Sequence, residues 1–381
     1  MDERTVDVVV VGAGPTGLML ASELALGGVR VVVLERRSEP DSTLKAGGIG
    51  TLASEALERR GLGLALDAEE AAAVEAMKKS LGVQDGPPAG GIRHVGGHFA
   101  GLRLIDQTLQ REPARRMRGV QQQALEHILA EHAVALGVEV WRGHTVESFD
   151  DTGERVRVEA RGTGGPRPLE AAFLVGCDGG RSTVRKQAGF DFPGTDPTLT
   201  GHQALVELDH PERLLPLGWR RTAVGMLSYG PMPGRVGIIE FDGPPTDREA
   251  PLTAAEVEQS LRRVSGADVR ITALHSATRF TDHARQVSSY RRGRVLLAGD
   301  AAHVHSPFGG QGLNLGLVDA VNLGWKLAAT VQGHAPDGLL DTYTAECHPM
   351  AARVLDNTRA QLALMRPDPQ TTAMRRIVAS C

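Results

Sequence analysis

The sequence predicts an α/β fold of two domains, in which a discontinuous domain built on a buried parallel sheet is interrupted by a mainly β domain. Residues 6–11 form an almost unbroken apolar run, which is typical of a strand buried on both faces of a parallel sheet. A glycine-rich turn, a helical pattern and a second apolar run follow. Residues 195–281 change to strand alternation with many turn signals.

Composition narrows the class of protein. The chain has 381 residues, of which 41% are hydrophobic and 23% charged, a profile typical of a globular protein with enough residues for two cores. The net charge of −4 shows no excess of basic residues of the kind that binds nucleic acid. No apolar run approaches the length of a membrane span. Three cysteines form neither a disulfide framework nor a zinc motif. We therefore expect a cytoplasmic protein without a bound metal.

The first elements of the chain form a β-α-β unit. The strand at residues 6–11 turns at residues 12–17, and helical spacing over residues 18–26 ends at Gly27 and Gly28. The second strand, residues 29–34, ends at Glu35. This is the order of elements in a Rossmann-like domain.

The remaining elements follow from the same patterns. We predict helices at 53–60, 122–136, 254–264 and 313–330, strands near 101–105 and at 138–141, 173–177 and 294–297, and an antiparallel pair within 146–160. Residues 67–118 read as helical at first and then as a Gly- and Pro-rich stretch at 86–97. The predicted domains are 1–66, 119–194 and 282–365 for the first, 67–118 and 195–281 for the second, and 366–381 as a C-terminal tail.

The glycine turn predicts nucleotide binding. Gly12, Gly14 and Gly17 have the G-x-G-x-x-G spacing that makes the turn, admits a pyrophosphate and lets helix pack on strand. Glu35 lies 18 positions after Gly17, near the spacing expected for a carboxylate on a ribose hydroxyl. The alternative is a glycine-rich turn in another α/β fold. The motif does not separate NAD from FAD.

A second glycine-rich segment favours FAD. Asp300 follows a buried strand and can accept hydrogen bonds from a ribityl chain. Gly309, Gly310 and Gly312 let the backbone approach a flat ring, and the helix that follows aims N–H groups at it. The alternative is a β-α turn with ordinary caps.

Three other features carry weaker predictions. The turn that begins at Asp178 also follows a buried strand, but Ser182 as a plain helix cap explains it equally well. His303 and His305 have no third ligand beside them, so we expect positioning roles rather than a metal site. The absence of a cysteine redox pair argues against a disulfide reductase.

Together these segments resemble the FAD-dependent aromatic hydroxylases, the single-component flavoprotein monooxygenases typified by para-hydroxybenzoate hydroxylase. The resemblance rests on the N-terminal G-x-G-x-x-G, on Asp178-Gly179 with Arg181-Ser182, and on G-D-A-A-H with its downstream P-x-G-G-Q-G-x-N. It extends from residue 1 to about residue 365. Segments 97–102, 189–195 and 290–295 look most like those of bacterial aromatic-polyketide hydroxylases acting on angucyclinone-type phenols.

The resemblance implies roles for particular residues. It assigns pyrophosphate, adenosine, ribityl and ring contacts to FAD, and assigns Asp178 to both FAD and the pyridine nucleotide. The residues concerned are Gly12, Gly14, Pro15, Thr16 and Gly17 for pyrophosphate, Glu35 and Arg36 for the adenosine end, Gln122 for a contact with FAD, Asp300 for the ribityl chain, and Pro307, Gly312, Leu313 and Asn314 for the ring. Lys45 stands where these relatives usually carry an Arg, and it offers a point charge rather than a fork.

The resemblance also implies the reaction. NADPH or NADH would reduce FAD, and O2 would give a flavin C4a-hydroperoxide that hydroxylates a small-molecule substrate, a polycyclic aromatic phenol of the polyketide type. Alternatives are Baeyer–Villiger insertion and a catalytically idle flavin-binding partner protein in a biosynthetic complex. No catalytic side chain is predicted. Trp219, Met226, Tyr229 and Phe241 are candidates for the substrate wall, and simple core packing is expected for at least two of them.

The end of the chain departs from these relatives, which usually continue into a thioredoxin-like third domain. This sequence ends at Cys381 and is expected to lack that domain. A compact two-domain member and a shortened chain are both consistent with it. The oligomeric state is not predicted, with a homodimer as one option.

Overall fold

The structure is a computed structural model that describes residues 4–81, 98–102, 104, 112, 115–230, 232–247 and 250–380. The predicted Gly- and Pro-rich stretch at 86–97 and the last residue, Cys381, lie outside these ranges. Among the described helices, none is long and apolar enough to cross a membrane.

The described strands form three sheets. In chain order they are β1 (Arg4–Val11), β2 (Val31–Glu35), β3 (Glu139–Arg142), β4 (Thr145–Asp151), β5 (Val156–Gly162), β6 (Gly165–Gly176), β7 (Gly194–Thr195), β8 (Thr200–Leu208), β9 (Gly218–Arg221), β10 (Gly225–Tyr229), β11 (Arg235–Glu240), β12 (Ile271–Phe280), β13 (Ala284–Gln286), β14 (Arg291–Arg292), β15 (Val295–Leu297) and β16 (His303–Val304).

The described α-helices pack on these sheets. They are α1 (Pro15–Leu26), α2 (Thr51–Glu58), α3 (Gly63–Leu81), α4 (Gln122–Ala135), α5 (Thr183–Gln187), α6 (Ala254–Ser265), α7 (Gly312–Val331), α8 (Thr342–Met365) and α9 (Pro369–Ser380).

The large sheet has the strand order β14-β15-β6-β1-β2-β3, with β5 also paired to β6 and β4 to β5. Its centre is parallel, and Val9 of β1 lies between Val32 of β2 and Leu174 of β6. All three side chains are buried; α1 packs on β1 and β2 and lies against both α4 and α7. This is the buried parallel sheet that the apolar runs predict.

The second sheet is antiparallel, with the order β12-β8-β11-β10-β9. Helix α6 packs on one face through Val257, Leu261 and Val264, which share a core with strands β8, β10 and β11. The three-stranded sheet β16-β13-β7 lies at the two points where the chain passes between the other sheets, because β7 precedes β8 and β13 follows β12.

Several predicted boundaries shift. Helix α1 begins at Pro15, because proline at the first helical position needs no N–H partner. Helix α3 continues through residue 66, where a domain boundary is predicted, and Leu66 is fully buried in the core of the large sheet. Strand β6 is longer than the predicted 173–177, because its first half pairs antiparallel with β5.

Two segments have a local structure that the sequence patterns did not indicate. The predicted tail at 366–381 contains helix α9, which packs against α8. Of the possible strand near 101–105, residues 103 and 105 lie outside the described ranges, and the described residues 98–102 form a tight turn with Phe99 and Leu102 bridged across it. Ala100 in this turn has φ 54°, a left-handed conformation that a strand does not contain.

Candidate functional site

A cleft of about 300 Å³ lies at the carboxyl ends of β1, β2 and β6, where ligands of open α/β sheets bind. The structure brings together all but three of the predicted site residues there. Those lining it are Gly12, Gly14, Pro15, Thr16, Glu35, Arg36, Lys45, Gln122, Asp178, Asp300, Gly312 and Leu313. Gly17, Pro307 and Asn314 do not line it.

A side chain at each of the three glycines of the first turn would meet different surroundings. Gly12 has φ +108°, and a Cβ there would lie 2.5 Å from the carbonyl oxygen of Cys177. A Cβ on Gly17 would lie 1.9 Å from the carbonyl oxygen of Gly12, so Gly17 allows the close helix–strand contact. A Cβ on Gly14 would meet no atom of the protein within 4 Å, because it would point into the cleft.

Helix α1 presents its N-terminus to the cleft. Gly14 is its N-cap residue, and no side chain caps it. The first N–H groups of a helix have no partner within the helix and carry the positive end of its dipole. This end of the cleft is therefore built for an anion.

Glu35 is fixed at the end of β2. Its two carboxylate oxygens accept hydrogen bonds from the backbone N–H groups of Ala13 and Arg37, each at 2.9 Å. The carboxylate is thereby held beside the glycine turn with lone pairs left for a further donor. A ribose hydroxyl is such a donor.

Lys45 takes part in an ion-pair cluster that sequence reasoning did not find. Its Nζ lies 2.8 Å from Asp41 Oδ2, and Arg37 pairs with the same oxygen. Burial raises the pKa of Asp41, but hydrogen bonds from Lys45, Arg37 and Thr43 outweigh burial and hold it well below its usual range. The loop from 37 to 45 carries no motif, so only the folded chain shows this cluster.

Helix α4 contributes Gln122 and, one turn later, Glu126. The Gln122 side-chain amide donates to Glu126 Oε1 at 2.8 Å, and both residues line the cleft with Arg142. Burial raises the pKa of the Glu126 carboxyl. Glu126 and Arg142 are further site residues that the sequence motifs did not indicate.

Asp178 lies two residues after the end of β6 and anchors the next turn. Its Oδ2 accepts from the N–H groups of Thr183 and Val184, while Oδ1 is buried without a partner in the described structure. Ser182 caps α5 by accepting from the N–H of Arg185. The capping interpretation of Ser182 is therefore correct, and Asp178 still faces the cleft.

Asp300 is held at the cleft by a buried pair behind it. Asp319 Oδ2 accepts from the N–H of Gly299 at 3.0 Å and lies 2.7 Å from His303 Nε2, with both side chains fully buried. Gly299 has φ +60°, the conformation that turns the chain toward Asp300. His303 thus has a positioning role, and no group of metal-binding side chains occurs among the described residues.

Residues 306–312, which we call the ring-side loop because the resemblance implies flavin-ring contacts there, lead into α7, which begins at Gly312 without a side-chain cap. Asn314 does not line the cleft but joins two loops: its Oδ1 accepts from the N–H of Gly50 at 2.5 Å, and its Nδ2 donates to the carbonyl of Gly310 at 2.9 Å. Pro307 is exposed outside the cleft.

An aromatic cluster faces this loop from the second sheet. Trp219 and Phe280 each make an edge contact with Phe308, at centroid distances of 6.2 Å and 6.0 Å. Of the predicted wall residues, Trp219 and Phe241 pack partly exposed at this cluster, whereas Met226 is fully buried in it. Tyr229 belongs to the core beneath α6, so core packing explains it.

The side chain of Arg235 extends from β11 to the loop that contains Lys45. Its guanidinium donates to the carbonyl oxygen of Lys45 at 3.3 Å, and burial lowers its pKa. A single arginine on a strand carries no motif, which is why sequence reasoning missed it.

The residues present fit an FAD molecule. Two helices without side-chain caps, α1 and α7, begin at one cleft. Glu35 and Asp300 provide carboxylates along it, and a Cβ at Gly14, which lines the cleft, would meet no protein atom within 4 Å. A dinucleotide with two phosphates, two polyols and an electron-accepting ring matches this set of groups.

Comparisons with known proteins agree with this fit. Residues 5–358 match the FAD binding domain family. The chain is 43% identical over 383 residues to the 12-dehydrotetracycline 5-monooxygenase/anhydrotetracycline 6-monooxygenase of Streptomyces rimosus, covering 98% of this chain and 72% of that protein.

Solved structures agree as well. An anhydrotetracycline hydroxylase from Streptomyces rimosus superposes with a TM-score of 0.84 and 41% identity, covering 99% of this chain and 72% of that one. An aromatic hydroxylase from angucycline biosynthesis gives 0.82 and 39%, covering 98% and 72%. The chain therefore belongs to the FAD-binding family of flavoprotein monooxygenases.

Proposed function

We propose that this FAD-dependent monooxygenase hydroxylates a polycyclic phenol of the aromatic-polyketide type. The observation that carries the proposal is the aromatic cluster of Trp219, Phe280 and Phe308 beside the ring-side loop. Aromatic side chains in edge contact offer large, rigid surfaces to a fused-ring substrate. The names of the similar proteins, which concern tetracycline and angucycline compounds, support the same substrate class.

We propose that FAD lies along the cleft with its pyrophosphate at α1. The uncapped helix start and the turn of Gly12, Gly14, Pro15, Thr16 and Gly17 support this orientation. Glu35 and Arg36 would bind the adenosine end, Lys45 and Gln122 the central part, and Asp300 the ribityl chain. Asp178, Gly312 and Leu313 would border the flavin, with Pro307 and Asn314 shaping the loop around it.

FAD, when bound, would supply the redox chemistry by which NAD(P)H is oxidised and one atom of O2 enters the substrate while the other leaves as water. The residues of the chain bind, orient and shield. The N-terminus of α7 would stabilise negative charge on the reduced ring. The cluster around Phe308 would hold the phenol and exclude water.

We propose that the domains follow the sheets. The large sheet would form the FAD domain, discontinuous over 1–66, 119–194 and 282–365, and the second sheet the substrate domain, over 67–118 and 195–281. The continuity of α3 through residue 66 supports moving α3 to the FAD domain. Cys177 and Cys347 are free thiols, which supports a reducing, cytoplasmic location.

The test is turnover by the purified, FAD-loaded protein. NADPH and NADH oxidation are measured with anhydrotetracycline and with 1,8-dihydroxyanthraquinone as probes, and products are identified by mass and NMR. We expect stimulated oxidation and a product carrying a new ring hydroxyl. A lactone product would assign Baeyer–Villiger chemistry. An FAD-loaded protein without NAD(P)H oxidation would favour an idle flavin-binding partner protein.

A further inference from the structure

Helix α8 carries two amide side chains, Asn357 and Gln361, that link segments of the two domains. The side-chain amides of Gln311 and Gln361 both donate to Asn357 Oδ1, each at 2.8 Å. Gln361 Oε1 in turn accepts from the backbone N–H of Ala100 at 3.3 Å. A continuous chain of amide hydrogen bonds therefore runs from residue 311 to residue 100.

Each end of this chain lies at a functional segment. Gln311 is the N-cap residue of α7, directly after the glycines of the ring-side loop. Gly309 has φ +78°, and a Cβ there would lie 3.0 Å from the side-chain nitrogen of Gln361 and 3.1 Å from that of Gln311. The loop backbone thus lies directly against the amide chain.

The other end holds a strained turn. Ala100 is fully buried and has φ 54°, a conformation that non-glycine residues adopt at a cost. Gln361 holds its N–H, and Arg375 of α9 donates to its carbonyl oxygen at 2.7 Å. Strain of this kind persists only where the surrounding structure fixes it.

The turn also forms part of the proposed substrate wall. Its first residue, His98, lies 5.6 Å from Trp219 between ring centroids, and Trp219 contacts Phe308 of the ring-side loop. Gln361 is only 2% exposed, so the amide chain is shielded from competing water. Apolar and polar contacts thus connect the same two segments.

We infer that Asn357 and Gln361 are positioning residues that couple the ring-side loop at 306–312 to the substrate-side turn at 98–102. The inference rests on the proposed function, because it treats the turn as part of the substrate wall. With the bridge intact, a ring bound at the loop also orders the turn. Without it, each segment responds only to its own ligand.

The test is hydrogen-exchange mass spectrometry of the apo and FAD-loaded protein. In the wild type, FAD should slow exchange in peptides covering both 306–312 and 98–102. In Asn357→Leu, slowing by FAD should persist at 306–312 but be lost at 98–102. In Gln361→Leu, which also removes the acceptor of the Ala100 N–H, the turn should in addition exchange about tenfold faster than in the wild type, the effect of one lost buried hydrogen bond. Asn357→Asp keeps the acceptor oxygen and should behave as the wild type.

Two controls separate coupling from simple instability. Gln370→Leu makes the same chemical change at an exposed position of α9 and should leave both peptides unchanged. Thermal unfolding of each variant checks that the fold persists. Anhydrotetracycline should then bind several-fold more weakly to FAD-loaded Asn357→Leu, with the dissociation constant of FAD changed little.

The outcomes are distinct. Equal FAD-dependent slowing of 98–102 in the wild type and Asn357→Leu would overturn the inference, as would a wild-type turn that does not respond to FAD. Failure to hydroxylate any phenol would count against the proposed function while leaving the exchange result intact. Slowing at 12–17 confirms in every variant that FAD is bound.

Discussion

At the scale of single residues, the cleft depends on where side chains are missing. Gly14 and Gly17 belong to one motif, yet a Cβ at Gly14 would meet nothing while one at Gly17 would overlap the carbonyl oxygen of Gly12. We therefore propose that Gly14 makes room for a ligand, whereas Gly17 allows the close packing of the fold. Substitution separates these two roles.

We predict that Gly14→Ala folds as the wild type but binds FAD at least about tenfold more weakly, because the methyl group occupies ligand space. Gly17→Ala should instead lose about 3 kcal/mol or more of folding stability, because the backbone must shift. Calorimetric melting of the apo-proteins and FAD titration measure both. Equal melting losses in the two variants would contradict this division.

Glu35 carries a second prediction. Its carboxylate holds two backbone N–H groups of the cleft, so Glu35→Ala removes both acceptors and the proposed ribose contact. We expect FAD affinity to fall about tenfold to a hundredfold, the range for hydrogen bonds to a charged group. Titration of FAD fluorescence measures it, with Glu154→Ala in an exposed turn as the control. Unchanged affinity would remove Glu35 from the site.

Sequence motifs identified the site residues whose position in the cleft depends on their neighbours in the sequence. Glycine spacing and strand ends locate Gly12, Glu35 and Asp300, because a glycine turn and the end of a buried strand can each be recognised from a few consecutive residues. Asp41 and Glu126 were missed, since their roles arise from contacts between loops and helices that carry no periodic signal. Their place in the cleft is a product of the tertiary fold.

At the scale of elements, helix α6 is fixed to the second sheet by a buried polar network. His202 of β8 lies 3.2 Å from both Ser260 and Glu256 of the helix, and Glu240 of β11 accepts from Ser260 at 2.5 Å. Burial lowers the pKa of His202, although Glu256 partly opposes it. The histidine is therefore neutral in the folded protein near pH 7.

This network predicts loss of stability in acid. Because the folded pKa of His202 is lower than the unfolded value near 6.5, the unfolded chain binds the proton first as pH falls. The stabilisation is present above pH 6.5 and decreases below it. We expect the melting temperature to fall between pH 7 and 5.5, and to fall less in His202→Gln. A steeper fall in the variant would reverse the assigned sign.

Elements with strong periodicity were predicted well, and the others were not. The apolar runs of β1 and β2 and the amphipathic pattern of α6 sit close to their predicted positions. Helix α9 was missed because Pro367 precedes it, Pro369 is its first residue and its pattern is weak, with Met374 and Ile377 exposed. Its contacts with α8 and with Ala100 stabilise it instead.

At the scale of the whole molecule, the chain leaves and re-enters the large sheet so that α1 and α7, far apart in sequence, begin at one cleft. The crossings at β7 and β13 belong to the same small sheet, which ties the two domains together. Sequence patterns predicted the interruption because the strand type changes near 195 and 281. The small sheet itself was not predicted, because strands of two or three residues leave no pattern.

The central claim is that one FAD molecule contacts both helix starts. Neither Gly14→Ala nor Gly312→Ala would clash within the protein, since the nearest atom to a Cβ at Gly312 is 3.5 Å away. Calorimetric titration of the apo-protein with FAD, ADP and FMN therefore tests the claim most directly. We predict that Gly14→Ala weakens FAD and ADP, while Gly312→Ala weakens FAD and FMN but not ADP. A protein that takes up no FAD, or whose FAD affinity neither variant changes, would contradict the account.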